Sequence, residues 1–359
     1  MGETPLTVAC SEGNEKIVHI LMERGCDMNQ VGCMRKTPLT AACSGGNEKI
    51  VQLLIDKGCD VTQADGTGQT PLIAACTGKK EKIVQLLIEK GCDLNQTDGM
   101  GGTPLTVACS EGNENVVQIL MERGCDMNQV GCMRKTPLAA ACSGGNENIV
   151  QLFLEKGCDI NMVGGIGETP LTAACRGGNE RIVQLLLEKG CGVNQDFGME
   201  ETPLIAACWE GNEKIVQLLI DKGCDVTHTD GMEKTPMTAA CWGGNEKIVQ
   251  ILIDNGCGIN QVNDMEETPL VAACWGGNEK VVQFLIGKGC VINQVNGMED
   301  TPLAAACLGG NENIVQLLID KGCDVNQANG KGKTPLTAAY SGGNYKIVQL
   351  LIDKGCDAT

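Results

Sequence analysis

Residues 37–69 read TPLTAACSGGNEKIVQLLIDKGCDVTQADGTGQ, and the fold is decided inside this stretch. Thr37 is placed to cap a helix whose first position, Pro38, has no N–H to leave unpaired. Leu39, Ala42 and Cys43 follow at i, i+3 and i+4, an apolar stripe on a short helix. Gly45-Gly46 ends that helix, and Asn47 is predicted to cap a second one. The second helix should bury Ile50, Val51, Leu53, Leu54 and Ile55 and expose Glu48, Lys49, Gln52, Asp56 and Lys57. Gly58 stops it. The polar link beyond carries Asp65-Gly66, a hairpin-turn pair. The stretch reads as helix, turn, helix, hairpin.

The same pattern runs through the whole chain. All 11 prolines follow a threonine, at Thr4, Thr37, Thr70, Thr103, Thr136, Thr169, Thr202, Thr235, Thr268, Thr301 and Thr334, always 33 residues apart. A fixed period of this size marks a solenoid of stacked repeats sharing one continuous core. Residues 1–359 are therefore expected to form a single array, with the eleventh repeat reaching Thr359 after 26 residues. Hairpin pairs recur at Asp98-Gly99, Asp230-Gly231, Asn296-Gly297 and Asn329-Gly330. Residues 4–36 and 103–135 differ only at Lys16/Asn115, Ile17/Val116 and His19/Gln118, which suggests duplication of a three-repeat block. Neither end carries a polar capping repeat, so the sequence is expected to be a piece of a longer protein.

Composition narrows the function. The chain carries 28 Lys+Arg against 45 Asp+Glu, a formal charge of −17, which argues against nucleic acid or an anionic membrane as the main partner. Aromatic residues make up 2%, so the core must be built from Leu, Ile, Val, Ala and Cys. No run of uncharged apolar residues is long enough to span a bilayer. The start, MGETPLTVAC, lacks the basic and apolar regions of a signal peptide, and Leu6 stands where a myristoylation site needs Ser or Thr.

The runs TPLTAACSGGN, IVQLL and KGCDVN, with the period of 33, resemble the ankyrin repeat, whose pattern is roughly TPLHxAAxxGH, IVxLLL and GADVN. The resemblance covers essentially the whole chain. It implies an all-α repeat solenoid with β-hairpin fingers. The departures are systematic. The family's first His is Thr in six repeats and Ile73, Ile205, Val271, Ala139 or Ala304 in the other five, which have no hydroxyl to offer the turn. Its second His is mostly Asn, and two of its small alanines are Cys. In repeat three, Lys79-Lys80 replace Gly-Asn and should weaken the turn between the helices. Asn326, in the run Leu318 to Asn326, resembles ankyrin asparagines that an oxygen-sensing dioxygenase hydroxylates.

Twenty-three cysteines invite a zinc or disulfide reading, and their spacing weighs against both. Ten take the Cys43 position, eleven follow the glycine that ends the second helix, and Cys33 and Cys132 lie in the duplicated hairpins. There is no CxxC, and only His19 and His228 could supply nitrogen ligands. Equivalent cysteines of adjacent repeats should stand ~8–10 Å apart, beyond the reach of a disulfide. Contacts between the two different cysteine ladders stay open. Cysteine as a small buried hydrophobe is the favoured reading, and so many thiols point to a reducing, cytoplasmic setting. Cys33 and Cys132 are the thiols expected to react.

No catalytic constellation emerges, and no cofactor or metal is expected. The five serines and two histidines form no recurring triad. Gly332-Lys333-Thr334 resembles the end of a P-loop, but Gln327 stands where its first glycine is needed. The chain is not expected to be an enzyme.

Variation between repeats points to recognition. The residue after the first-helix cysteine lies roughly 150° from the apolar stripe at 100° per residue, so it faces outward. It reads Ser11, Ser44, Thr77, Ser110, Ser143, Arg176, Trp209, Trp242, Trp275, Leu308 and Ser341, and holds every tryptophan of the chain. The ankyrin resemblance implies that this column faces a concave groove. One position at the finger tips holds Met34, Met100, Met133, Met199, Met232, Met265 and Met298. Beside it stand Arg35-Lys36 and Arg134-Lys135 early in the chain, then Glu200-Glu201, Glu233-Lys234, Glu266-Glu267 and Glu299-Asp300. Residues 4–135 hold 16 acids and 13 bases, whereas 136–267 hold 20 and 8. The expected partner is a protein or peptide segment, apolar and basic, bound by Arg176, the three tryptophans, Leu308, the later methionines and the acidic residues around them. Outward tryptophans that merely stack and stiffen the array are the competing reading. A structural spacer within a larger protein is the rival function.

Overall fold

The computed structural model describes the chain apart from residues 1–2, 33–34, 132–134, 166, 195–200, 298–299 and 357–359. The described residues form 22 helices in pairs, one pair per repeat, and cluster into two compact units, Met1–Leu186 and Leu187–Thr359. Within each unit the substantial helix contacts join a repeat to itself or to its immediate neighbour. That is the signature of a stack in which each core face meets only the next. No described helix is long and apolar enough to cross a membrane.

Every first helix starts at its proline, as Pro38–Gly45 does in repeat two. The preceding threonine accepts from the backbone three residues on, with Thr40 N donating to Thr37 Oγ1 at 3.1 Å. In repeats two and eight the bond is returned, Thr37 N donating to Thr40 Oγ1 at 3.0 Å and Thr235 N to Thr238 Oγ1 at 3.1 Å. At Ile73 and Ala304 only the first half remains, through Thr70 and Thr301. Leu39, Ala42 and Cys43 are buried as the stripe requires. The second helix, Glu48–Asp56, fully buries Ile50, Val51 and Leu54 and leaves Leu53 and Ile55 half-buried, because the apolar arc is wider than the contact.

Two local expectations are corrected. Asn47 makes no side-chain cap to its own helix. Its amide reaches into the preceding repeat, donating to Cys10 O at 2.7 Å and Ser11 O at 3.2 Å. Asn146, Asn179, Asn278, Asn311 and Asn344 do the same to Cys109, Cys142, Cys241, Cys274 and Cys307. The carbonyls at the end of one first helix thus find donors on the next repeat. A side chain on Gly13 would meet this amide at 2.6 Å, and its φ of +75° already favours glycine.

The fingers are closed turns, with no strand among the described residues. Asp65-Gly66 does not act as a two-residue hairpin turn. The Asp65 carboxylate accepts from Thr67 N at 2.8 Å and Gln69 N at 3.0 Å, and Gly68 N donates to Asp65 O. The left-handed residue is Gly68, three places after the aspartate. Asp98, Asp230 and Asn329 hold their turns by the same two side-chain bonds.

Cysteines of the first ladder are fully buried. Those of the second lie under the neighbouring finger, where Cys257 and Cys356 thiols donate to Val226 O and Val325 O, each at 3.0 Å. Cysteine here does what alanine could not, adding a weak bond between repeats. All described cysteines are free thiols, and Cys33 and Cys132 lie outside the described residues.

Candidate interaction surface

The tryptophan column lies along the exposed end of the first helices. In the second compact unit Trp209 and Leu308 are each 39% exposed, with Trp242 and Trp275 half-buried. Trp209 and Trp242 stack, their ring centroids 6.3 Å apart and the planes inclined by 28°. This offset pairing suits the ring quadrupoles and stiffens both side chains.

A second column interleaves with the first. The residue directly before each Thr-Pro stands at the base of a finger, between the column residues of its own and the next repeat. Lys234 Nζ lies 4.7 Å from the Trp209 ring centre, a cation–π contact. The Trp242 indole N–H donates to Glu267 Oε1 at 3.2 Å. Glu267 is only 9% exposed. Burial pushes its carboxyl above the ordinary glutamate range, while Trp242, Lys234 and Asn263 pull it back. In the first compact unit Lys36 and Lys135 donate to Ser44 and Ser143 at 3.5 and 3.3 Å. Glu168, fully buried, is held between Arg176 Nη1 at 2.5 Å and Lys135 Nζ at 3.3 Å.

These placements revise the expected site. Glu267 is a buried anchor for Trp242 rather than a rim charge, because its chain turns inward where the finger rejoins the helix. Glu201 and Asp300 occupy the same base position and are half-buried. Asp300 also accepts from Asn329 Nδ2 at 3.0 Å. Arg176 is committed to Glu168, so its charge is largely spent inside the chain. Glu233 and Glu266 do sit exposed at finger tips, both in the left-handed region at φ 64° and 55°. Met232 and Met265 beside them are 45% and 48% exposed. Met199, Met298, Glu200 and Glu299 lie outside the described residues. The interleaved column escaped the sequence reading, although its signal was positional: it is the residue immediately before each Thr-Pro.

The serine stretch of the column lines a hollow of about 260 Å³ with Thr106, Val107, Glu111, Lys135 and Ala140 around Ser110 and Ser143. Small hydroxyls and one lysine already engaged by Ser143 and Glu168 offer contact surface there and no poised nucleophile. No group of three or more His, Cys, Asp and Glu among the described residues is arranged to hold a metal ion.

The family profile described as "Ankyrin repeats (3 copies)" matches residues 6–98, 62–131, 97–164, 138–230, 227–296 and 292–359. Among solved structures, the crystal structure of the human ASB11 ankyrin repeat domain superposes with a TM-score of 0.54 at 26% identity, covering 62% of this chain and 99% of that one. Comparison with curated proteins finds no match.

Proposed function

The chain belongs to the ankyrin repeat family, and from that premise we propose that it is a non-catalytic scaffold whose tryptophan column receives an apolar, basic protein segment. Repeats of this family generally mediate protein–protein interactions. The observation that carries the finer reading is the run of Trp209, Trp242 and Trp275, partly exposed where other repeats hold serine. Trp209 and Trp242, held rigid by their stacking, are suited to act as anchors, since little side-chain freedom is left to lose on binding. Exposed Met232 and Met265 add adaptable apolar surface at the tips. Glu233 and Glu266 surround it with negative charge and favour a Lys- or Arg-bearing ligand, chiefly through its rate of arrival. The wealth of free thiols fits a reducing, cytoplasmic setting.

The Trp209–Trp242 stack and the Trp242–Glu267 bond also favour a second reading, a stiffened spacer. Deleting residues 202–300, three repeats in register, separates the two. Peptides panned against the full chain from a displayed library supply the ligand. A recognition surface loses those peptides on deletion while the remaining repeats stay helical by circular dichroism. Undiminished binding supports the spacer and sinks the scaffold reading.

A further inference from the structure

We infer that repeat three, residues 70–102, is the joint at which the first compact unit opens locally. Three observations meet there. The turn between its helices places Lys79 at φ 56°, where the corresponding Gly13, Gly46, Gly112 and Gly145 lie at 68–82° without a side chain to strain. Lys80 stands where repeat two carries the bridging Asn47. It makes no cap to its helix, and its methylenes lie against Gly46. Cys43 O, the group that Asn47 would mark out as the next acceptor in line, receives no side-chain amide. On the other side, Asn113 turns its oxygen to Val116 N at 3.2 Å and leaves its buried Nδ2 without a partner.

Repeat three is thus deprived of the amide-to-carbonyl bond at both of its junctions. The junctions of repeats one and two, four and five, and five and six each keep theirs, at 2.7, 2.8 and 3.1 Å. Beside the apolar core that repeat three shares with its neighbours, the polar ties that remain lie mostly at the surface. Lys82 meets Glu48 at 3.6 Å, and Asn115 and Gln129 reach Glu81 and Asn95. Exposed contacts of this kind hold weakly, whereas a buried donor left unmade is costly. In a stack whose stability is a sum of repeat and junction terms, two weakened junctions around one strained repeat fix where opening begins. The finger of the same repeat, Asp98-Gly99-Met100-Gly101-Gly102, adds three glycines, and Met100 at its tip is 69% exposed.

Hydrogen exchange followed by mass spectrometry on the full chain tests this. Under native conditions the helices Pro71–Thr77 and Glu81–Glu89 should exchange at least about tenfold faster than Pro137–Ser143 and Glu147–Glu155 of repeat five. The double variant K79G/K80N carries the residues of Gly178-Asn179 in repeat six and should slow repeat three by about tenfold, leaving repeat five unchanged. Equal protection of repeats three and five, or a double variant that exchanges like the parent, overturns the inference.

Discussion

Glu267 decides how the tryptophan column is held. Its carboxyl is raised by burial, so the folded chain binds that proton more tightly than the unfolded chain does. The stability this provides is full below the ordinary glutamate value and is lost as pH rises through the raised one. E267Q removes the loss while keeping an acceptor for the Trp242 indole. The variant should therefore melt above the parent at pH 7 and with it near pH 4, and a tryptophan fluorescence transition in this range should vanish. Identical pH profiles would contradict the burial argument. W242S alone should destabilise by about 1–3 kcal/mol, because it takes a donor from the buried Glu267 carboxylate, and adding E267Q should restore part of that. Sequence alone could not separate Glu266 from Glu267, since two adjacent carboxylates look alike until the finger turns one to solvent and the other inward. The outward direction of Trp209 was legible, because helical spacing from the Leu/Ala/Cys stripe fixes it.

Among the elements, the helices were the most legible, since Thr-Pro starts and glycine stops admit few alternatives. The role of Asn47 was not, for a bridge to Cys10 spans 37 residues and leaves no local trace. The fingers were legible in position and misread in geometry. Aspartate or asparagine side chains close them, and the left-handed site falls three residues later. Gly68, Gly101 and Gly332 fill that site without strain, whereas Glu233 and Glu266 hold the same conformation with a side chain. E233G and E266G should each raise stability by about 1 kcal/mol in urea unfolding, with alanine at either place giving no such gain. A loss on going to glycine would mean that the left-handed turn is not what these residues adopt in solution.

At the scale of the molecule, the two cysteine ladders make stability depend on high pH. Burial pushes Cys59, Cys92 and Cys125 up to about 11, and Cys10, Cys224 and Cys257 up to about 12, from an ordinary 9.0. Thiols raised in the fold stabilise it fully below the ordinary value and progressively less as pH climbs through the raised ones. Helicity should hold to about pH 9 and collapse steeply before pH 12, and at pH 8 a thiol reagent should find few groups until denaturant is added. Uniform reactivity of the native chain would contradict the packing of both ladders. The repeat count and the period were legible because no insertion breaks them. The partner's chemistry stays a proposal, resting on a column of tryptophans with carboxylates nearby, because the residues that vary between repeats carry no fixed pattern to read. Above all, the tryptophan column is proposed to bind. The most direct measurement of this is the Kd of a peptide selected against the full chain, compared with that of W209S/W275S, a variant that spares the Trp242–Glu267 bond. If the column binds, the variant should bind at least ~30-fold more weakly with an unchanged melting curve, about 2 kcal/mol lost from the anchors. Equal affinity in the two proteins would show the tryptophans to be packing alone.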